Sequence, residues 1–111
     1  MGQVVFYEGN GGSQDIVHST DDRPGQNFRP NKNDEARSVV LTNVRVGARI
    51  EVYDSPDASK SDDYTYITSL KEHPSGYIVG SFERSYTDDY VRVEYTRKNG
   101  LDGKVSRIII N

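Results

Sequence analysis

The sequence contains no cysteine, and it has only three leucines and three alanines. Without cysteine the chain cannot form a disulfide, a thiolate nucleophile, a zinc knuckle or an iron–sulfur site. No apolar run approaches the roughly 20 residues of a membrane span, so we expect no membrane insertion. The net charge of −3 and the pI near 5.3 argue against a nucleic-acid binder, which needs a basic face.

Core-forming residues are also scarce. Val, Ile, Leu and Phe together make up 25 of 111 residues, about 23%, just above the composition of disordered chains. The small net charge and the eight tyrosines nevertheless favour a folded domain with a thin core. Such a small domain is only marginally stable unaided, so we expect something other than a disulfide to stabilise it.

The residues that are abundant point to β-structure. Val and Ile total 19, against 6 for Leu and Ala, and Gly, Asn, Asp, Ser and Pro together make up 43 residues. β-Branched residues suit a pleated surface, and the other five types form turns. The composition therefore favours a small all-β domain over a helical bundle.

Apolar residues recur with period two, most clearly over residues 44–53, which is typical of half-buried strands. The pattern predicts about eight short strands, at residues 4–7, 16–18, 38–42, 44–53, 64–70, 77–82, 90–95 and 105–110. Residues 34–37 are predicted as a single helical turn. The predicted long connections are residues 21–31, 71–76 and 97–103, and nothing among them reads as a linker. We therefore expect one domain over residues 1–111.

The chain carries an internal repeat. Residues 5–8 (VFYE) and 51–54 (EVYD) each end a strand with Tyr and an acid, followed by a turn. Residues 33–39 and 102–108 share a second outline, in which an acid or amide and a turn lead to Ser or Arg and then to a β-branched strand. Two halves, about 3–45 and 46–111, thus predict two four-strand Greek keys packed as a β-sandwich.

With these residues the sequence resembles the microbial branch of the βγ-crystallin superfamily. That family joins two Greek keys, each with a Tyr-bearing hairpin and a calcium signature, Asn/Asp-Asn/Asp-x-x-Ser/Thr-Ser. Residues 33–38 (NDEARS) match five of its six positions, counting the free ones, and residues 102–107 (DGKVSR) match four. The resemblance covers essentially the whole chain. It departs from the family at Gly12 and Ala58, where the hairpin usually carries an aromatic residue, and the second half is longer than usual.

The resemblance implies two calcium sites shared between the halves. The first site would take the carbonyl oxygens of Glu8 and Glu35, the carboxylate of Asp34 and the hydroxyl of Ser106. Calcium is a hard ion that binds six to eight oxygens, so this set suits it. We therefore predict Ca²⁺ as the bound ion and the first site as competent.

The second site would take the carbonyl oxygens of Asp54 and Lys104, together with side chains at Gly103 and Arg37. Gly103 has no side chain, and a guanidinium has no acceptor and stays charged. We therefore predict that the second site is degenerate and that Arg37 pairs with Asp102 in place of an ion. The weaker ligand candidates are Asn33, Asp54, Asp102 and Lys104.

Other motifs favour structural interpretations. The aspartate pairs at residues 21–22, 62–63 and 88–89 lack a third ligand at a defined spacing, so we read them as solvated loop charge. His18 and His73 have no partner motif for a triad or a zinc site. The glycine-rich residues 9–13 lack the Lys-Ser/Thr ending of a phosphate loop and are predicted to form a hairpin turn. The tyrosines of the second half favour packing, with a binding surface as the alternative.

The sequence thus predicts a non-enzymatic, calcium-binding βγ-crystallin-type domain stabilised by an ion held between its halves. The alternative is a carbohydrate- or protein-recognition module that has lost calcium and uses the second-half tyrosines. We expect a monomer, with a surface glycan or a protein as a further partner. Because calcium is millimolar outside cells and suits weak sites, an extracellular or cell-surface location is favoured over the cytoplasm.

Overall fold

Ten β-strands form the regular structure of the computed structural model, which describes residues 2–30, 35–98, 100–101 and 104–111. They are β1 (Gln3–Gly9), β2 (Ser13–Asp21), β3 (Gln26–Phe28), β4 (Ser38–Thr42), β5 (Arg49–Tyr53), β6 (Tyr64–Ser69), β7 (Tyr77–Val79), β8 (Tyr86–Thr87), β9 (Val91–Thr96) and β10 (Arg107–Ile110). These described residues contain no helix, and the predicted turn of helix is absent from residues 35–37. The all-β prediction is confirmed.

The strands form two antiparallel sheets that pack as a sandwich, as predicted. The four-stranded sheet has the order β2-β1-β4-β7, and the six-stranded sheet has the order β3-β10-β5-β6-β9-β8. In each sheet the last strand of one half returns beside the first strand of that half, since β4 lies next to β1 and β10 lies next to β5. The third strands cross over: β3 joins the sheet of the second half, and β7 joins the sheet of the first half.

Some strand bounds differ from the prediction. β3 lies within the predicted loop 21–31, because backbone pairing with β10 and the stacking of Phe28 on His18 (ring centroids 4.5 Å apart) stabilise three residues that carry no apolar alternation. The predicted strand over residues 44–53 shortens to β5, because Gly47 adopts a φ of +89° that breaks the extended backbone. β8 is a further strand that the pattern did not predict.

One hydrophobic core fills the space between the sheets. Alternate residues of the long strands point inward, and Val4, Phe6, Ile50, Val52 and Ile67 have no exposed surface. The ring centroids of Phe6 and Phe82 lie 6.4 Å apart, so the two halves meet within the core. Burial of β-branched side chains from both sheets is the main stabilising contribution.

The second half is longer than the first in two places. Three residues (10–12) join β1 to β2, whereas ten residues (54–63) join β5 to β6. Nine residues (29–37) lead into β4, whereas residues 80–106, which include β8 and β9, lead into β10. The second of these extra segments contains the second signature, residues 102–107.

Candidate metal centre

The two signatures contact their hairpins in the same way. In the first half, the Arg37 N–H donates to the Tyr7 carbonyl (2.9 Å), and Ser38 lies opposite Tyr7. In the second half, the Ser106 N–H donates to the Tyr53 carbonyl (2.8 Å), and Arg107 lies opposite Tyr53. Arg37 and Ser106 therefore occupy equivalent positions, as the sequence repeat predicted.

The hairpin turns repeat a backbone feature as well. Gly12 and Ala58, each five residues after its hairpin Tyr, both adopt left-handed conformations, with φ of +68° and +58°. A left-handed backbone is common for glycine and uncommon for alanine, so Ala58 is held there by its surroundings. Two small residues thus occupy the two positions where the family hairpin carries an aromatic residue.

Ser106 brings two candidate ligand oxygens together. The residue is 5% exposed, and its hydroxyl donates to the Lys104 carbonyl at 3.3 Å. Two oxygens that bind one calcium ion at right angles, at ordinary bond lengths, lie roughly 3.3–3.7 Å apart. The spacing of the Ser106 hydroxyl and the Lys104 carbonyl therefore fits the shell of one cation, although the resemblance had divided these two oxygens between two sites.

The other predicted ligands are only partly described. Glu8 is half-buried near the end of β1, and Glu35 is exposed two residues before the Arg37–Tyr7 hydrogen bond. Asp54 is half-buried and donates its N–H to the Asp63 carbonyl at 3.0 Å. The remaining predicted ligands lie outside the described residues: Asn33, Asp34 and Asp102.

Arg37 is exposed at the position that corresponds to Ser106. A guanidinium roughly 4 Å from a divalent ion would be repelled by a few kcal/mol or more at an effective dielectric near 20. The degenerate second site stays a prediction, since Asp102 and Gly103 lie outside the described residues. Pairing of Arg37 with Asp102 stays a prediction, because Asp102 lies outside the described residues.

Among the residues that the structure describes, no three His, Asp or Glu side chains are grouped so that they could hold a metal ion. The predicted first site does not need such a group, since it takes two carbonyls, one hydroxyl and a single carboxylate. The predicted ligand atoms are all oxygens, which calcium prefers and which transition metals bind less readily than nitrogen or sulfur.

Two aspartates read as solvated loop charge are in fact buried, so that prediction was wrong for them. Asp22 is 3% exposed and accepts hydrogen bonds from the Gly2 and Arg45 N–H groups (3.2 and 2.8 Å). Asp63 is fully buried and accepts from Tyr95, Lys98 and Gly100. These hydrogen bonds offset the cost of burying a carboxylate, which the two-residue sequence motif does not reveal.

The third aspartate pair is exposed, as predicted, but Asp88 is also structural. Its carboxylate accepts the N–H groups of Tyr90 and Val91 (both 2.9 Å) and the Tyr77 hydroxyl. Burial alone would raise the pKa of Asp88, but the hydrogen bonds from Tyr77 and from the backbone lower it. The pKa of Tyr77 is raised in turn, by burial and by its bond to Asp88.

The second-half tyrosines contact one another and the core. Tyr77, Tyr86, Tyr90 and Tyr95 pack against the core as partly buried residues. On the outer face of the six-stranded sheet, Tyr53 packs on Tyr64 and Tyr66, with centroids 6.0 and 6.2 Å apart. These contacts favour the packing interpretation over an open row of binding residues.

A buried carboxylate anchors that outer-face cluster. Glu51, 6% exposed, accepts the Tyr53 hydroxyl (2.6 Å) and the Arg49 Nε (2.8 Å), and Arg49 lies over the Tyr66 ring. Burial and the bond to Glu51 raise the pKa of Tyr53, and the same carboxylate raises the pKa of Arg49. The cations and aromatic faces there are thus engaged within the molecule.

The burial of Asp63, one of the two buried aspartates predicted to be solvated, had a signal in the sequence. The buried positions of β6 are Thr65, Ile67 and Ser69, and the same period of two places residue 63 on the inward face. Extending the alternation two residues before Tyr64 would have predicted a buried aspartate, which requires hydrogen-bond partners.

Comparison of the chain with models of known protein families, with curated proteins and with solved structures finds no match. The βγ-crystallin resemblance therefore stays a prediction that depends on the residues and the repeat. Within the described ranges, no helix has the length and apolar character of a membrane span.

Proposed function

We propose that the chain is a calcium-binding domain of the microbial βγ-crystallin type, not an enzyme, with one competent and one degenerate site. The observation that carries the proposal is the equivalent attachment of the two signatures: Arg37 N–H to Tyr7 and Ser106 N–H to Tyr53. This equivalence supports the alignment from which the ligands were assigned, residue by residue.

The role of the ion would be to stabilise the fold. The first site takes oxygens from residues 8, 34 and 35 of the first half and from Ser106 of the second, so an ion bound there would connect the halves. A ligand that binds only the native state adds about 2.7 kcal/mol of stability at a hundredfold excess over its Kd. A domain with few core residues and no disulfide has the most to gain from such a contribution.

The proposal is tested by calorimetric titration and by thermal unfolding with and without calcium. We expect one Ca²⁺ per chain and a rise in Tm of about 10 °C at a hundredfold excess over Kd. Asp34→Ala and Ser106→Ala should each abolish most of that rise. Ser61→Ala, at an exposed serine of the 54–63 connection, is the matched control and should keep it.

Two ions per chain would contradict the degenerate second site, and identical melting curves in calcium and in chelator would contradict the whole proposal. In the second case the alternative function, recognition of a glycan or a protein through the tyrosines, would be tested next on a glycan array. Because those tyrosines contact one another and the core, a recognition function has less support than calcium binding.

A further inference from the structure

Asp63, the last residue before β6, contacts the segment that follows β9 and leads into the second signature. Its side chain is fully buried, and its two oxygens accept hydrogen bonds from the Tyr95 hydroxyl (2.5 Å), the Lys98 N–H (2.9 Å) and the Gly100 N–H (2.8 Å). Gly100 has a φ of +109°, which side-chain-bearing residues rarely adopt. The backbone there is shaped to turn its N–H groups toward the carboxylate.

A second carboxylate holds the next residue of the same segment. The Glu83 side chain accepts the Leu101 N–H at 3.0 Å, and Leu101 itself is fully buried. Burial, the hydrogen bond from Tyr95 to Asp63, and the nearby charges of Asp63 and Glu83 raise the pKa of Tyr95, so this hydroxyl stays protonated and donates. Lys98, Gly100 and Leu101 are thus each held by a backbone N–H that donates to a carboxylate.

Hydrogen bonds continue from this segment to the candidate ligands. The Lys104 N–H donates to the Leu101 carbonyl (2.9 Å), and the Lys104 carbonyl accepts the Ser106 hydroxyl. The Ser106 N–H donates to Tyr53 (2.8 Å), and the neighbouring Asp54 N–H donates to the Asp63 carbonyl (3.0 Å). Asp63 therefore contacts two residues that precede Ser106 in the chain, Lys98 and Gly100. It also contacts Asp54, the neighbour of the tyrosine that accepts the Ser106 N–H.

We propose that Asp63 is a positioning residue for the first calcium site: its buried carboxylate holds the Lys98 and Gly100 N–H groups and so fixes the backbone that precedes Ser106, whose hydroxyl is the ligand. The inference rests on the proposed function. Asp63 acts through hydrogen bonds rather than as a ligand, since its two oxygens already accept three donors. A segment ordered before the ion arrives loses less conformational entropy on binding, so the affinity is higher.

The carboxylate is required because Tyr95, Lys98 and Gly100 all donate to it. An asparagine at this position has the same shape but offers one acceptor oxygen, and its amide N–H groups would face the donors of Tyr95, Lys98 or Gly100. Asp62, the adjacent half-exposed aspartate, provides a matched control for the loss of one negative charge.

The experiment combines amide hydrogen exchange in chelator with calcium titration. In the parent protein without calcium, we expect the Lys98 and Gly100 amides to be protected. Asp63→Asn should speed their exchange by about a hundredfold and weaken calcium binding by about tenfold, whereas Asp62→Asn should change neither. If Asp63→Asn does not fold, Glu83→Ala, at an exposed side chain, should remove the acceptor of the Leu101 N–H, speed exchange of that amide and weaken binding severalfold.

The outcomes separate the inference from the proposed function. If the parent binds calcium and the folded variant binds it equally well, Asp63 has no positioning role, while the calcium-binding function stands. Amides 98 and 100 that become protected only when calcium is added would also overturn the inference. If the parent binds no calcium, the proposed function fails, and the positioning role fails with it.

Discussion

The two halves of this protein hold their hairpins at the same place with different chemistry. In the first half, the buried Ser38 hydroxyl donates to the Gly9 carbonyl and accepts the Gly12 N–H (2.5 and 2.9 Å). In the second half, the equivalent Arg107 reaches Pro56 with its Nε (2.7 Å) and Asn27 with a terminal nitrogen (3.1 Å). A three-residue turn fits a short hydroxyl, whereas a ten-residue connection needs a long side chain.

The neighbouring position shows the reverse assignment. Arg37 stands exposed in the first half, where the second half has the buried Ser106. The pair of residues at each signature is therefore Arg-Ser in one half and Ser-Arg in the other. The two halves therefore share the backbone hydrogen bond between signature and hairpin, but their side chains make different contacts.

The largest expected effect concerns the core, where the halves should not differ. Phe6→Ala and Phe82→Ala should each lower the free energy of unfolding by about 3–5 kcal/mol, because each removes a fully buried ring from one shared core. Urea denaturation of both variants measures this. A large loss for one residue and little for the other would mean that the halves are stabilised separately.

A smaller effect should distinguish the two hairpin contacts. Ser38→Ala should cost about 1–3 kcal/mol, because it leaves the Gly9 carbonyl and the Gly12 N–H without their partner in a buried setting. Arg107→Ala should cost less than about 1 kcal/mol, because its hydrogen bonds are exposed and water can replace them. The same denaturation series tests both, and equal losses would remove the distinction drawn above.

The smallest effect on stability is expected at Arg37. Arg37→Ser should change the free energy of unfolding in chelator by no more than about 0.5 kcal/mol, because the side chain is exposed. In calcium it removes a repelling charge and supplies a hydroxyl, so calorimetry should detect a second, weaker binding event. Arg92→Ser, at an exposed arginine of β9, is the control; a second event there as well would point to net charge alone.

Much of the architecture could be predicted from the sequence, because period-two alternation marks strands that bury one face. The repeat also predicted that Arg37 and Ser106 are equivalent, and the N–H groups of both donate to a hairpin Tyr carbonyl. β3 was missed, since its three residues show no alternation and depend on β10, which is distant in sequence. The alternation could have predicted the burial of Asp63 but not its partners, since Tyr95, Lys98 and Gly100 become its neighbours only after folding.

The exchange of third strands bears on how the chain folds as it is synthesised. β3 pairs with β10, and Phe28 faces Ile108, a separation of 80 residues (108 minus 28). The six-stranded sheet cannot close around β3 until residues 107–110 have left the ribosome, so the first half waits with an unpaired strand. Such non-local pairing slows folding and leaves strand edges open to the wrong partner meanwhile.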